Sequence, residues 1–244
     1  MNIQSRVSLH KEKNSVRDEV HVWLASLDIP VTKFHGLLAA DERERAERFH
    51  FKKDRDRFIA QRGILRIILG CYLGVEPESV QFTHGENGKP LIADGQNGEG
   101  LHFNLSHSEN MAIYAFSDHR EIGVDIEQIR DNIEMTQLVD RFFSAKEKAA
   151  WHSLPESQRK EAFFNAWTRK EAFTKATGAG LAMPLDRFDV SIAPGEAARL
   201  LGIDSDEKTA AEWSIQDIKP ATGFAAALAM EGKIGTIDFR YWAS

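Results

Sequence analysis

The sequence predicts an α+β protein of two similar, pseudo-symmetric subdomains, each a small antiparallel sheet packed against a long helix. The chain has 244 residues, which suffices for one or two domains. Each half reads in the same order: a strand, a short charged helix, a long helix and a run of strands. The halves meet near residues 117–121. One interpretation is two related subdomains at 1–120 and 121–244, with a candidate metal site in the second and the active site in the groove between them. The other interpretation is a chance likeness of two α+β halves.

Composition narrows the class of protein. The chain is 42% hydrophobic and 28% charged, as in ordinary globular proteins. Its net charge of −6 argues against a nucleic-acid binder. One cysteine, Cys71, excludes an internal disulfide, and its apolar neighbours favour a buried, inert thiol. The chain shows no signal-peptide pattern and no apolar run long enough to cross a bilayer. We expect a cytoplasmic protein without membrane contact.

Alternating side chains predict strands, and apolar side chains at helical spacing predict helices. In the first half these patterns predict helices at 40–48 and 54–73 and strands at 20–27, 80–83, 101–108 and 111–116. In the second half they predict helices at 132–141, 144–152 and 157–177, strands at 122–127, 185–192, 212–217, 223–229 and 237–241, and a loop with a short helical piece at 194–206. Ser144 and Glu147 form a capping-box pattern at the start of the helix at 144–152. Gly178 is expected to end the helix at 157–177.

A segment of mixed charge covers both predicted helices of the first half. One interpretation is a solvated helix face with many ion pairs, and the other is that a few arginines face a polyanionic ligand. The interleaved acids argue against a continuous nucleic-acid groove. The basic residues are Arg43, Arg45, Arg48, Lys52, Lys53, Arg55, Arg57, Arg62 and Arg66.

Two further segments of the first half could meet an anion. The turn at 85–90 has two glycines, which let a backbone approach a ligand, and Lys89, which could meet a phosphate. A hairpin turn with a solvated lysine fits equally well. Ser106, His107 and Ser108 end a predicted strand, where hydroxyls and an imidazole could bind an anion. The other interpretation is a structural histidine.

Three carboxylates form the candidate metal site. Asp125 and Glu127 are two apart on a predicted strand and share one face, which indicates either a bound cation or a solvated face. Glu171 and Lys175 are four apart on a helix, as in a surface ion pair or a metal-and-proton site. Oxygen ligands without thiolates favour Mg²⁺, which usually serves a phosphate substrate. Candidate anion partners are Arg45, Arg57, Arg62, Lys89, His107, Lys170 and Lys175.

Four motifs are distinctive: GVDIE at 123–127, WTRKEAFTK at 167–175 followed by GAGL, FNLSHS at 103–108 and GKP at 88–90. Together they resemble the motifs of the 4′-phosphopantetheinyl transferases. The length and the two-half layout are similar to the monomeric, surfactin-synthetase-activating type and not to the short trimeric holo-acyl-carrier-protein synthases. The resemblance covers roughly residues 35–230 and is loosest at 41–62.

The resemblance implies a reaction and roles for individual residues. Coenzyme A would donate its phosphopantetheine arm to a serine of an apo acyl or peptidyl carrier protein, releasing adenosine 3′,5′-bisphosphate. Glu171 would also be the base, directly or through a water on the metal, and Lys175 would contact the pyrophosphate and neutralise the leaving oxygen. The implied ligands are Asp125, Glu127 and Glu171 for Mg²⁺, Arg45, Ser106 and His107 for the 3′-phosphate side, and Asn87, Gly88, Lys89 and Pro90 for the adenine.

Two other functions are consistent with the same residues. A Mg²⁺-dependent pyrophosphatase acting on coenzyme A or nucleotides would use water in place of the carrier serine, and would release bisphosphate steadily without a carrier. A non-catalytic coenzyme A-binding module would bind its ligand tightly without a metal requirement. With both halves of the groove in one chain, a monomer would suffice for any of the three.

Overall fold

The computed structural model describes residues 19–98, 100–204 and 206–243, and it confirms an α+β fold. The strands are β1 Glu19–Ser26, β2 Phe82–His84, β3 Pro90–Ile92, β4 Leu101–Ser108, β5 Met111–Asp118, β6 Ile122–Gln128, β7 Phe188–Val190, β8 Leu200–Ile203, β9 Trp213–Ile218, β10 Phe224–Glu231 and β11 Thr236–Tyr241. The helices are α1 Ala40–Glu47, α2 Lys52–Leu73, α3 Met135–Phe142, α4 Ala145–Ser153, α5 Glu156–Thr177 and α6 Glu207–Ala210.

The two halves repeat one strand arrangement. In the first half β1 pairs with β5 and β5 pairs with β4, and in the second half β6 pairs with β10 and β10 with β9, all antiparallel. Each half also carries a two-stranded hairpin, β2-β3 or β7-β8. The last strand departs from the pattern, because β11 joins the first sheet and pairs with β1 in parallel. The predicted boundary at 120/121 stays a prediction.

The long helices also correspond. Both α2 and α5 have 22 residues, and each is followed by a left-handed glycine, Gly74 and Gly178, with a φ of 68°. The buried side chains of α2 pack against the first sheet, and those of α5 against the second. The remaining apolar faces of the two sheets pack against each other, with Val22 and Ile113 on one side and Val124 and Leu228 on the other. The core therefore has four layers, helix, sheet, sheet and helix.

The edge strands β4 and β6 meet where the halves join. Asn104 Oδ1 accepts a hydrogen bond from the main-chain N–H of Val124 at 3.0 Å, and Ser108 Oγ accepts one from Gln128 at 3.0 Å. The sequence offset is 20 residues in both cases, so the two strands run in the same direction. Side chains of β4 thus take the place of a main-chain partner for β6.

Several local predictions were wrong. The predicted loop at 194–206 contains β8, and the short helix follows it as α6, because strands of a few residues show no clear alternation. The predicted strand at 185–192 is a 3₁₀ turn followed by the short β7, and β3 was not predicted. Cys71 is exposed, since it lies on α2 away from the stripe that faces the sheet. Within the described residues no helix qualifies as a candidate membrane span.

Candidate active site

Asp125 lies at the centre of the candidate site, on β6 where the two halves meet. Its side chain is buried, and Oδ1 accepts hydrogen bonds from Ser106 Oγ at 2.9 Å and from Lys175 Nζ at 2.6 Å. The other oxygen, Oδ2, is buried without a hydrogen-bond partner. An unsatisfied buried carboxylate oxygen is costly, so an unpartnered one is chemically suited to a cation.

Glu127 and Glu171 flank this carboxylate. Burial raises the pKa of Glu127, and the negative charge of Asp125 raises it further, while a hydrogen bond from Ser108 opposes the shift. Burial likewise raises the pKa of Glu171, with Asp125 again adding to the effect and Lys175 opposing it. Three acids whose charges disfavour one another in a partly buried place form a site that a divalent cation would stabilise.

The three carboxylates lie near one another, but their oxygens are farther apart than the ligands of a single metal ion would be. In the described part of the chain, only Glu19, His21 and Asp238 bring three ligand atoms within 4.8 Å of one another. That cluster already contains a guanidinium, because Arg240 donates to Asp238 at 2.7 Å and lies 3.3 Å from His21 Nε2. Its close spacing is therefore explained by an ion-pair network at the β1-β11 edge.

Gly123 explains how α5 comes so close to β6. A Cβ at this position would lie 2.1 Å from the carbonyl oxygen of Ala172 and 2.3 Å from the main-chain nitrogen of Ala176. Only a residue without a side chain allows the helix backbone to rest on the strand. The same contact brings Glu171 and Lys175 of the helix beside Asp125.

Lys175 crosses from α5 to the strand. Its ammonium binds Asp125 on β6 and also donates to Ser106 Oγ on β4 at 2.9 Å, so it joins α5 to both edge strands. It is partly exposed, with a side-chain accessibility of 29%. The interpretation of Glu171 and Lys175 as an isolated surface ion pair is therefore wrong.

A second part of the site is a cavity in the first half, which we call the α1–α2 cavity. Its volume is about 560 Å³, and it is lined by Arg45, Phe49, Asp54, Arg57, Phe58, Gln61, Arg62, Pro90, Leu105, His107 and Glu109. Arg45, Pro90 and His107, three of the coenzyme A contacts that the resemblance implies, line it together with two further candidate anion partners, Arg57 and Arg62. The lining mixes cations with apolar and aromatic surface, as an aromatic phosphate ester would require.

His107 stands in this cavity with its ring orientation fixed. Gln61 Nε2 lies 3.1 Å from Nδ1, and because an amide nitrogen only donates, the geometry favours a proton on Nε2. Loss of water around the ring lowers the pKa of His107, and the charges of Lys175 and Arg57 lower it further. The lowered pKa favours the neutral imidazole near pH 7, and a proton on Nε2 could be donated to a ligand.

The arginines of α2 are mostly paired with acids. Arg57 binds Asp28 at 2.8 Å and Glu109 at 3.1 Å. Glu42 on α1 is buried and accepts from Arg62 at 2.7 Å and Arg66 at 2.6 Å. Ion pairing accounts for much of this basic segment, and these contacts fix α1 on α2.

The ammonium of Lys89 was expected to meet a phosphate, but it is bound by other groups of the protein. Its ammonium donates to Glu121 Oε2 at 2.8 Å, the carbonyl of Ile122 at 3.2 Å and the carbonyl of Ala176 at 3.0 Å. An ammonium has three N–H donors, so all of them are used here. On the same turn, Asn87 Nδ2 donates to the carbonyl of Gly178 at 3.0 Å. The turn at 85–90 is thus attached to the C-terminal end of α5.

Lys170 is not accessible to an anionic ligand, and the expectation that it binds one was wrong. It is fully buried, forms an ion pair with Glu147 at 2.9 Å and donates to the carbonyls of Leu185 at 2.7 Å and Phe188 at 2.5 Å. Glu147 also completes the predicted capping box with Ser144. This lysine anchors α5 to α4 and to the segment that leads into β7.

Sequence reasoning missed residues that support the site without belonging to its charged groups. These are Gln61, which holds His107, Gly123, which admits the backbone of α5, and Asn104, which bonds the main chain of Val124 next to Asp125. Ser108 was predicted as an anion contact, but its hydroxyl donates to Glu127. One signal was available: Asn104, Ser106 and Ser108 alternate on β4, which puts three polar side chains on one face, opposite Leu101, Phe103 and Leu105.

Comparison with known proteins agrees with this geometry. A model described as the 4′-phosphopantetheinyl transferase superfamily matches residues 121–229, and one described as 4′-phosphopantetheinyl transferase, N-terminal, matches residues 29–119. The 4′-phosphopantetheinyl transferase HetI of Nostoc sp. is 43% identical over 218 residues, 88% of this chain and 89% of HetI. Sfp of Bacillus subtilis is 32% identical over 160 residues, 66% of this chain and 69% of Sfp.

Among solved structures, the holo-[acyl-carrier-protein] synthase of Thermotoga maritima covers 46% of this chain and 63% of its own, with a TM-score of 0.37 and 20% identity. The assignment rests on the sequence relatives and not on this weak likeness. The chain belongs to the 4′-phosphopantetheinyl transferase superfamily, with HetI and Sfp among its relatives.

Proposed function

We propose that this protein transfers the 4′-phosphopantetheine arm of coenzyme A to a serine of an apo carrier protein and releases adenosine 3′,5′-bisphosphate. The observation that supports this most strongly is the Asp125 carboxylate. One of its oxygens is bound by Ser106 and Lys175, and the other is buried without a partner. Membership of the family indicates which reaction the protein catalyses, and the Asp125 carboxylate indicates where in the protein that reaction would take place.

We propose Asp125, Glu127 and Glu171 as the residues that hold Mg²⁺. The donor set fits, because it consists of carboxylate oxygens, and the unpartnered Oδ2 of Asp125 is suited to a cation. Burial raises the pKa values of Glu127 and Glu171, and repulsion from Asp125 raises them further; a positive charge at the site would relieve that repulsion. Bound Mg²⁺ would supply charge that neutralises the pyrophosphate of coenzyme A.

The protein's own residues then account for the transfer. Glu171, whose pKa burial raises, accepts the proton of the carrier serine as the serine oxygen attacks the β-phosphorus of coenzyme A. The bond from that phosphorus to the bridging oxygen breaks, and adenosine 3′,5′-bisphosphate departs with the electron pair. Lys175 neutralises the developing charge on the departing oxygen. Phosphoryl transfer needs mainly positioning and charge neutralisation, so no enzyme nucleophile is required.

The α1–α2 cavity is the proposed place for the adenosine end of coenzyme A. Arg45 and His107, which line the cavity, would bind the 3′-phosphate side. Ser106 would contribute there only through its main chain, because its hydroxyl donates to Asp125. The turn Asn87–Pro90 would line the adenine, with Pro90 at the cavity wall. Lys89 would act there through its main chain, because its ammonium is used in contacts with β6 and α5. We further propose a cytoplasmic monomer, since one chain contains both halves of the groove.

Intact-mass spectrometry of carrier proteins tests this function. Several apo carriers of fatty-acid, polyketide and peptide type are incubated with the protein, coenzyme A and Mg²⁺. We expect at least one carrier to gain the mass of one phosphopantetheine, and no consumption of coenzyme A without a carrier. Steady bisphosphate release without a carrier would instead establish a pyrophosphatase, and metal-independent binding without transfer would establish a binding module.

A further inference from the structure

Ser108 is a buried polar residue that the reaction described above does not use. It ends β4, and its side chain faces β6. The hydroxyl donates to Glu127 Oε2 at 2.8 Å and accepts from the main-chain N–H of Gln128 at 3.0 Å. With one donor and one acceptor contact on β6, the orientation of the hydroxyl is fixed.

The contact belongs to a regular series between the two strands. Ser106 donates to Asp125 and Ser108 donates to Glu127, each across an offset of 19 residues. Two serines two residues apart on β4 therefore match two carboxylates two residues apart on β6. Each carboxylate has one oxygen held by a serine, and the second oxygen of Asp125 is unpartnered.

We propose that Ser108 is a positioning residue, which holds Oε2 of Glu127 so that its other oxygen turns toward the shared cation site. This rests on the proposed function, because it assigns a role relative to the Mg²⁺ ligands. A carboxylate on a free side chain must be ordered when the ion binds, whereas one held by a hydroxyl is ordered beforehand. Ser108 therefore contributes to metal affinity, and the chemical step depends on it only through the metal.

Metal binding, measured apart from turnover, tests the role. Isothermal titration of Mg²⁺ into the protein with coenzyme A present and no carrier gives a dissociation constant for parent and variants. We expect S108A to weaken Mg²⁺ binding about tenfold, as is typical when an outer-shell partner is removed. S108T retains a hydroxyl and is expected to restore much of the affinity. In transfer assays S108A should need about tenfold more Mg²⁺ for half-maximal rate and reach the parental rate at saturation.

Ser117 gives a matched control. It is a buried serine of β5 whose hydroxyl donates to the carbonyl of Arg120 at 2.7 Å, away from the carboxylates. S117A removes a comparable hydrogen bond and is expected to bind Mg²⁺ as the parent does. Should S108A fail to fold, S108C serves in its place, because a thiol is a weak donor and is also expected to weaken binding.

Folded S108A or S108C that binds Mg²⁺ with parental affinity would overturn the proposal, and so would equal weakening in S117A. Failure of the proposed function itself gives another result: the parent would show neither metal binding in the presence of coenzyme A nor metal-dependent loading of a carrier.

Discussion

Gly123 on β6 lies directly against the main chain of Ala172 on α5. A Cβ at Gly123 would be 2.1 Å from the Ala172 carbonyl oxygen, closer than any real van der Waals contact. The contact sets the distance between the strand that carries Asp125 and Glu127 and the helix that carries Glu171 and Lys175. Packing between two backbones thus determines whether the charged groups of the site meet.

Substituting this glycine tests the contact. G123A should push α5 away from β6, because the obstacles are backbone atoms that cannot rotate aside. We expect a loss of about 1–3 kcal/mol of unfolding free energy in urea, typical of overpacking, together with loss of carrier loading. The matched control is G95A, because nothing lies within 4 Å of a Cβ at Gly95. A G123A protein as stable and active as the parent would show that α5 does not rest on β6.

Lys89 should matter for stability more than its position in a surface turn suggests. Its ammonium joins Glu121 and Ile122 of the β6 segment to Ala176 at the end of α5. K89M removes three hydrogen bonds of a charged group and should cost about 2 kcal/mol in urea unfolding. Lys160, whose partner Asp131 is exposed, supplies the comparison, and K160M should change little. Equal stability of K89M and the parent would contradict the inter-half contact.

Glu171 should be required for transfer and less so for ligand binding. E171Q keeps the size of the side chain but cannot take the proton of the serine hydroxyl. Carrier loading should fall by on the order of a hundredfold or more, while coenzyme A still binds with part of its parental affinity. Loading is followed by intact mass and binding by calorimetry. E161Q, an exposed position on the same helix, serves as the control. Loading by E171Q at the parental rate would exclude Glu171 as the base.

His21 should make stability depend on pH. It is fully buried in β1, 2.7 Å from the Tyr72 hydroxyl, and burial lowers its pKa to about 4, with Arg240 adding to the shift. As pH falls below 6.5 the unfolded chain binds this proton and the native protein does not. The contribution of this group to the free energy of unfolding is therefore complete above pH 6.5. It decreases by about 3 kcal/mol as pH falls toward 4.

Urea unfolding at pH 7 and pH 4.5 measures that effect. H21Q should show a smaller loss of stability between the two pH values than the parent. The exposed His35 provides the comparison, and H35Q should follow the parent. If H21Q and the parent lose the same stability over this interval, His21 is not the group that resists protonation.

The sequence predicted best those features that depend on neighbouring residues. Strand β4 was predicted with its observed bounds, the capping box at Ser144 is present, and α5 ends before Gly178 as expected. In each case the signal is local: alternation, a cap four residues long, or a glycine suited to a left-handed backbone. The acids and Lys175 could be placed on the correct faces for the same reason.

Contacts between distant segments could not be predicted in this way. Spacing shows that Lys170 and Lys175 lie on different faces of α5, but not that one is buried with Glu147 while the other reaches Asp125. The use of Lys89 as a link to α5 depends on where a turn from the first half comes to rest. The parallel pairing of β11 with β1 joins the two ends of the described chain, and nothing local marks it.

The central claim is that Asp125, Glu127 and Glu171 share one divalent ion. The most direct test is a crystal structure with coenzyme A and Mn²⁺, in which anomalous scattering locates the metal. We predict one peak bridging the three carboxylates and the pyrophosphate, with the unpartnered Oδ2 of Asp125 among its ligands. Coenzyme A bound without a peak at this place, or a peak at Glu19, His21 and Asp238 instead, would contradict the account.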